Sequence, residues 1–191
     1  MRLFGLRHGE SRANASGEVA WDPARAVPDL GLTPAGRAAV ARAVAAAGLP
    51  AETLVVASDL RRARESAEVA RATLGPGELR LDPRLRERRF GLAEGATNAL
   101  YGPAWARDAR DPEQAAWGAE SASALAERVL ALVRELSRTD PGRTVLLVSH
   151  GDPLQVLRAA LAGKGPGAHR EGPHWEPAGV HPLNGPAAAP P

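Results

Sequence analysis

Two short runs of the chain constrain its fold more than any other feature. Thr53 to Ala57 (TLVVA) and Thr144 to Ser149 (TVLLVS) are apolar and largely β-branched, with no polar residue inside to mark a solvent side. Runs of this kind are strands covered on both faces, the condition met inside a parallel sheet flanked by helices. Helical signals surround them. Thr33-Pro34 supplies an N-cap and a first-turn proline for a helix over 35–47 that Gly48 and Pro50 stop. A second helix runs from about Ser58 to Leu74, and a third over 121–137 carries apolar residues at Leu125, Val129, Leu132, Val133 and Leu136, one buried face. At 191 residues and 44% apolar content, this is one domain with a layered core.

What each strand runs into is the functional signal. Leu3 to Leu6 leads directly to Arg7-His8-Gly9, and TVLLVS leads to His150-Gly151-Asp152-Pro153, read as a turn, an Asp152 N-cap and a helix to about Ala162. In open α/β sheets ligands sit at the carboxyl ends of strands. An imidazole there can act as nucleophile, and an adjacent guanidinium can hold an anion by paired hydrogen bonds. One Arg-His pair could equally be a surface pair; the second strand-end histidine makes packing a poor explanation of both. The helix after TLVVA crowds Arg61, Arg62 and Arg64 into its first turn, where the macrodipole disfavours cations unless an anion binds.

Between these elements, residues 12–31 show no period and read as one long loop that brings Asn14 back towards His8. A short strand over 78–81 precedes Leu85-Arg86-Glu87-Arg88-Arg89. Glu87 has two readings: ion-paired with its neighbouring arginines, or a carboxyl held free as a proton donor. Residues 93–118 lack a period and read as an inserted cap or lid with short helices. From Gly163 onward, 13 of 29 residues are Gly or Pro, a composition too poor in apolar side chains to stay compact by itself, with an edge strand over 180–183 as the exception. His169, His174 and His181 fall in this segment without metal-ligand spacing.

Several classes of function are excluded by composition. No cysteine is present, which removes disulfides, thiolate zinc sites and thiol catalysis. The formal charge is only +2, with no like-charge block and seven aromatic residues, so nucleic acid is not the partner. No apolar run reaches the length of a membrane span, and a cytoplasmic location follows as the default reading.

Taken together, Arg7-His8-Gly9-Glu10, Ser58-x-Leu60-x-Arg62-Ala63, Leu85-x-Glu87-x-x-Phe90-Gly91, Glu120-Ser121 and Ser149-His150-Gly151 resemble the histidine phosphatase superfamily, the phosphoglycerate-mutase-like group of branch 1 type. The likeness covers Arg2 to about Ala162. It implies a three-layer α/β/α sandwich with a mostly parallel central sheet, and hydrolysis of a small phosphorylated metabolite through a phosphohistidine, with no metal and no cofactor. By the same resemblance, His8 is the nucleophile; Arg7, Arg62 and His150 clamp the phosphoryl oxygens; Glu87 donates the proton; and Asn14 and Gly151 contact substrate. A second copy of the chain is a candidate partner. The family's metabolic mutases carry tyrosine at the place of Phe90 and asparagine at that of Asp152, so hydrolysis is expected over phosphoryl exchange. A mutase and a non-catalytic anion-binding module stand as the alternatives.

Overall fold

A computed structural model describes residues 1–183. In chain order it contains β1 (Arg2–Arg7), α1 (Arg12–Ser16), α2 (Pro23–Ala26), α3 (Pro34–Ala46), β2 (Leu54–Ala57), α4 (Arg61–Leu74), β3 (Leu79–Leu81), α5 (Tyr101–Asp108), α6 (Ala122–Thr139), β4 (Thr144–Ser149), α7 (Gly151–Leu161) and β5 (Val180–Pro182). The sheet order is β3-β2-β4-β1-β5, parallel except for β5, which runs antiparallel to β1.

The period-two alternation of the strands explains the layers. Leu54, Val56, Val145 and Leu147 point to one face and pack with Leu125, Val129, Leu132 and Leu136 of α6 and Leu154 of α7. Val55, Ala57, Leu146 and Val148 point to the other, against Val40 and Val44 of α3 and Ala63, Ala67 and Ala70 of α4. Every residue of β2 is buried, as is every residue of β4 after Thr144. The sheet is therefore sandwiched between helical layers, the three-layer α/β/α arrangement.

Three expectations from sequence need correction. Residues 12–31 are not one loop: Ser11 caps α1 through a reciprocal bond with Asn14, and Asp22 caps α2 ahead of Pro23. Asp152 is not an N-cap, because α7 begins two residues earlier than that reading, at Gly151 with His150 in the cap position, which leaves the Asp152 carboxylate free to turn inward. The Gly/Pro-rich segment also contributes to the core: Trp175 is fully buried on the α6/α7 face, and β5 pairs with β1. One large indole and main-chain pairing supply what average composition conceals. The final Pro/Ala run, Pro186 to Pro191, lies outside the described residues. No helix among the described residues is long and apolar enough to cross a membrane.

Candidate active site

Strand register brings the two histidines together. Arg7 of β1 pairs with Ser149 of β4, so the next residue on each strand, His8 and His150, leaves the sheet at the same edge. The His8 amide donates to the Ser149 carbonyl at 2.9 Å, and the two rings meet edge to face with centroids 5.0 Å apart. Both are essentially buried.

Hydrogen bonding defines the state of each ring. His8 Nδ1 lies 2.7 Å from the Gly9 carbonyl oxygen, which can only accept, so Nδ1 carries the proton and Nε2 carries the lone pair. Burial, with Arg62 and then Arg7 nearby, holds His8 well below the usual imidazole range, hence neutral. The Ser58 hydroxyl accepts from the Leu60 amide and lies 2.9 Å from His150 Nε2. In the tautomer in which the Ser58 proton is directed at Nε2, Nδ1–H of His150 is a donor.

Arg62 reaches the same point from the first turn of α4. Its Nε donates to His8 Nε2 at 3.1 Å and its Nη2 to the Ala20 carbonyl at 2.7 Å. Of the arginines crowding that turn, it alone turns inward; Arg61 pairs outward with Glu65 and Arg64 with Glu68. Arg7 donates from Nη1 to the Trp175 carbonyl at 2.6 Å. Three buried donors around His8 have no protein partner: Arg7 Nε, Arg62 Nη1 and His150 Nδ1. Leaving a buried polar group unsatisfied costs about 1–3 kcal/mol, so three at one point describe a place prepared for an anion rich in acceptors.

Glu87 is not paired with its flanking arginines. Arg86 is bonded to Asp59 at 2.5 and 2.7 Å, Arg88 is held by Asp108, and Arg89 reaches the Gly118 carbonyl. Arg128 fixes the backbone of this loop by donating to the carbonyls of Arg84 and Glu87. The Glu87 carboxyl accepts from the Arg88 amide at 2.9 Å and lines the cavity; although part of it meets the pocket solvent, desolvation first and the negative Asp152 second push it up to about 7.

These groups share one cavity of about 400 Å³, lined among others by Arg7, His8, Asn14, Arg62, Glu87 and Gly151, with His150 directly behind His8. Asn14 uses its amide oxygen to cap α1, which leaves the amide nitrogen for a ligand. Sequence reasoning missed the outer wall. Tyr101 stacks on Trp105 with centroids 5.4 Å apart; the Trp105 indole N–H is shared by both oxygens of Asp152; and Arg170 lies over the Trp105 ring. His174, weighed only as a metal ligand, stands beside Arg7. Among the described residues no cluster of three or more His, Asp or Glu side chains is placed to hold a metal ion.

A doubly covered parallel sheet with a neutral imidazole and free cationic donors at its carboxyl edge defines an α/β enzyme of phosphate-ester chemistry. The comparisons agree in detail. The sequence profile of the histidine phosphatase superfamily (branch 1) matches residues 3–185, and the chain belongs to that superfamily. It is 38% identical over 179 residues to the glucosyl-3-phosphoglycerate phosphatase of Mycolicibacterium vanbaalenii, covering 85% of this chain and 74% of that one. It is 28% identical over 177 residues to the metal-independent phosphoserine phosphatase of Arabidopsis thaliana, covering 83% and 70%. The solved native structure of a mycobacterial glucosyl-3-phosphoglycerate phosphatase superposes with a TM-score of 0.77 at 30% identity, covering 94% of this chain and 87% of that one. The profile runs past Ala162, so the family likeness includes the segment that carries Trp175. The chain is thus a phosphatase of this superfamily, a hydrolase of phosphomonoesters.

Proposed function

We propose that the cavity hydrolyses a small phosphorylated metabolite in two displacements at phosphorus, by way of a phosphohistidine on Nε2 of His8 and without a metal ion. The observation that carries this reading is the set of three unpartnered donors, Arg7 Nε, Arg62 Nη1 and His150 Nδ1, around the lone pair of His8.

In the first displacement the His8 lone pair forms the N–P bond as the P–O bond to the leaving group breaks. Glu87, protonated up to about pH 7, gives its proton to the departing oxygen. Arg7 and Arg62 balance the charge on the three transferred oxygens while the neutral His150 ring hydrogen-bonds them, the term on which phosphoryl transfer chiefly depends. The Asn14 amide nitrogen and the opening turn of α7 at Gly151, both lining the cavity, supply further contacts. In the second displacement Glu87, now a carboxylate, takes a proton from water as the water oxygen attacks phosphorus, the N–P bond breaks, and inorganic phosphate leaves.

Hydrolysis is favoured over exchange within one substrate because the Asp152 carboxylate lines the cavity and repels a doubly phosphorylated ligand. A phosphorylated metabolite is retained by its charge inside cells, which suits the cytoplasmic location read from the sequence. The test is release of p-nitrophenol from p-nitrophenyl phosphate in the presence of a chelator, comparing the protein with His8→Ala. Activity that survives the chelator and vanishes in the variant supports the reading. Activity restored only by a divalent ion contradicts it, and a protein that binds phosphate but cleaves no ester is an anion-binding module.

A further inference from the structure

Arg62 is held from two sides, and one of them leads out of the cavity. A guanidinium is planar, so the partners of two of its nitrogens fix where the third points. Nε meets His8 Nε2 and Nη2 meets the Ala20 carbonyl, which sets the direction of the unpartnered Nη1. Both partners are uncharged, although the side chain is buried. Burial pulls the guanidinium below its ordinary range, and Glu87, Tyr101 and Glu94 oppose that fall.

The Ala20 carbonyl has an anchor of its own. Its peptide unit continues to the Trp21 amide, and in a trans peptide the N–H points opposite to the C=O. Trp21 N donates to Glu94 Oε2 at 2.8 Å, and Asp22 N donates to the same oxygen at 3.1 Å. One peptide unit therefore stands between the Glu94 carboxylate and the Arg62 guanidinium, with its oxygen towards the cation and its N–H towards the anion. Glu94 is itself placed by main-chain pairing on the 17–22 segment: Gly95 N donates to the Val19 carbonyl and Val19 N to the Ala96 carbonyl, each at 2.9 Å.

We propose that Glu94 is a positioning residue for phosphoryl transfer: through the Ala20–Trp21 peptide it holds the acceptor that orients Arg62 on the phosphoryl group. This rests on the assignment of the His8 cavity as the phosphoryl site. A hydrogen-bond chain that ends in opposite charges is polarised along its length, so the carboxylate strengthens the bond at the far end. Once a phosphoryl oxygen takes the Nε–H from His8, the Ala20 carbonyl is the side-chain anchor that remains to Arg62. A peptide free to rotate would let the guanidinium follow the ligand, and the preorganisation that stabilises the transferred charge would be lost. Glu94 also pairs with half-exposed Arg25 at 3.0 Å, a contact of the kind that contributes little.

A double-mutant cycle separates action through Arg62 from a general effect on the fold. Glu94→Gln removes the charge at nearly constant shape, and each variant's rate is scaled to its folded fraction. The exchange is expected to lower kcat/KM for p-nitrophenyl phosphate about tenfold in the wild type and less than about twofold in Arg62→Met, where there is no guanidinium left to orient. The Kd of inorganic phosphate, measured by calorimetry, should show the same pattern without turnover. Arg25→Gln breaks the surface ion pair alone and is expected to stay within about twofold of the wild type. No loss in Glu94→Gln, an equal loss in both backgrounds, or an equal loss in Arg25→Gln overturns the assignment. The requirement for His8 is scored separately: activity retained in His8→Ala overturns the phosphoryl site, whereas an uncoupled cycle with His8 still required overturns the role of Glu94 alone.

Discussion

Arg62 donates its Nε–H to Nε2 of His8 across 3.1 Å, so in the proposed mechanism the attacking atom is covered by the cation assigned to bind the phosphoryl group. An arriving phosphoryl oxygen competes for that N–H and releases the lone pair. On this mechanism the nucleophile is exposed by the ligand it attacks.

Arg62→Met tests this coupling. The guanidinium is buried and its exchange for an apolar chain strands the Ala20 carbonyl, so a loss of about 1–3 kcal/mol is expected. The same exchange is expected to lower kcat/KM by about 10²–10³-fold, the usual effect of losing one preorganised donor. Inorganic phosphate at about a hundred times its Kd should stabilise the wild type by about 2.7 kcal/mol. Thermal melting with and without phosphate checks both halves: the variant should melt below the wild type without phosphate and gain little from adding it.

The pH dependence follows from two opposed shifts. His8 is neutral well below its ordinary range, whereas Glu87 keeps its proton to about pH 7. Nucleophile and proton donor are therefore both ready on the acidic side of neutrality, and kcat/KM is expected to fall as pH rises through about 7. Glu87→Gln should remove that limb along with about 10²–10⁴ of the rate. Asp152→Asn removes the like charge that helps hold the Glu87 proton, and should move the limb to lower pH.

Stability responds in the same terms. A Glu87 that binds its proton more tightly folded than unfolded contributes fully below its ordinary value of 4.5, and that contribution is lost as pH rises through about 7. His8 and His150, held low by burial, act oppositely: their contribution is present above 6.5 and is lost as pH falls towards their folded values. Phosphate bound beside both histidines should blunt the acid loss, measurable as denaturation midpoints across pH with and without the anion.

Gly36 tests the scaffold behind the nucleophile. A Cβ at Gly36 would collide with the Glu10 backbone, and one at Gly9 would lie 2.5 Å from the Gly36 carbonyl oxygen, so α3 approaches the turn after His8 at backbone distance. Gly36→Ala is expected to cost about 1–3 kcal/mol as overpacking. It should also lower activity, because the displaced turn carries the Gly9 carbonyl that sets the His8 tautomer. Melting temperature and kcat measured on one sample check this.

The sequence was most legible where local chemistry and fold coincide. β2 and β4 announced themselves by uninterrupted apolar runs, and the strand-end placement of His8 and His150 followed. α3 kept its Thr33 cap, and α6 buries the face its apolar spacing marked. Illegible were features made by distant contacts. Nothing near Asp152 shows that Trp105 of α5 would share its N–H with both carboxylate oxygens, and nothing near Arg170 shows Trp105 beneath it. Trp175 was hidden by the glycines and prolines around it. The freedom of Glu87 is also a tertiary fact, since its neighbours Arg86 and Arg88 take their acids from 27 and 20 residues away in sequence.

The most direct measurement is a rapid quench of the enzyme with ³²P-labelled phosphomonoester in the presence of a chelator, followed by mapping of any label on the protein. The account predicts label on the peptide containing His8, stable to alkali and labile to acid as an N–P bond is, and absent from His8→Ala. Turnover with no labelled protein, or label on a residue other than His8, would contradict it.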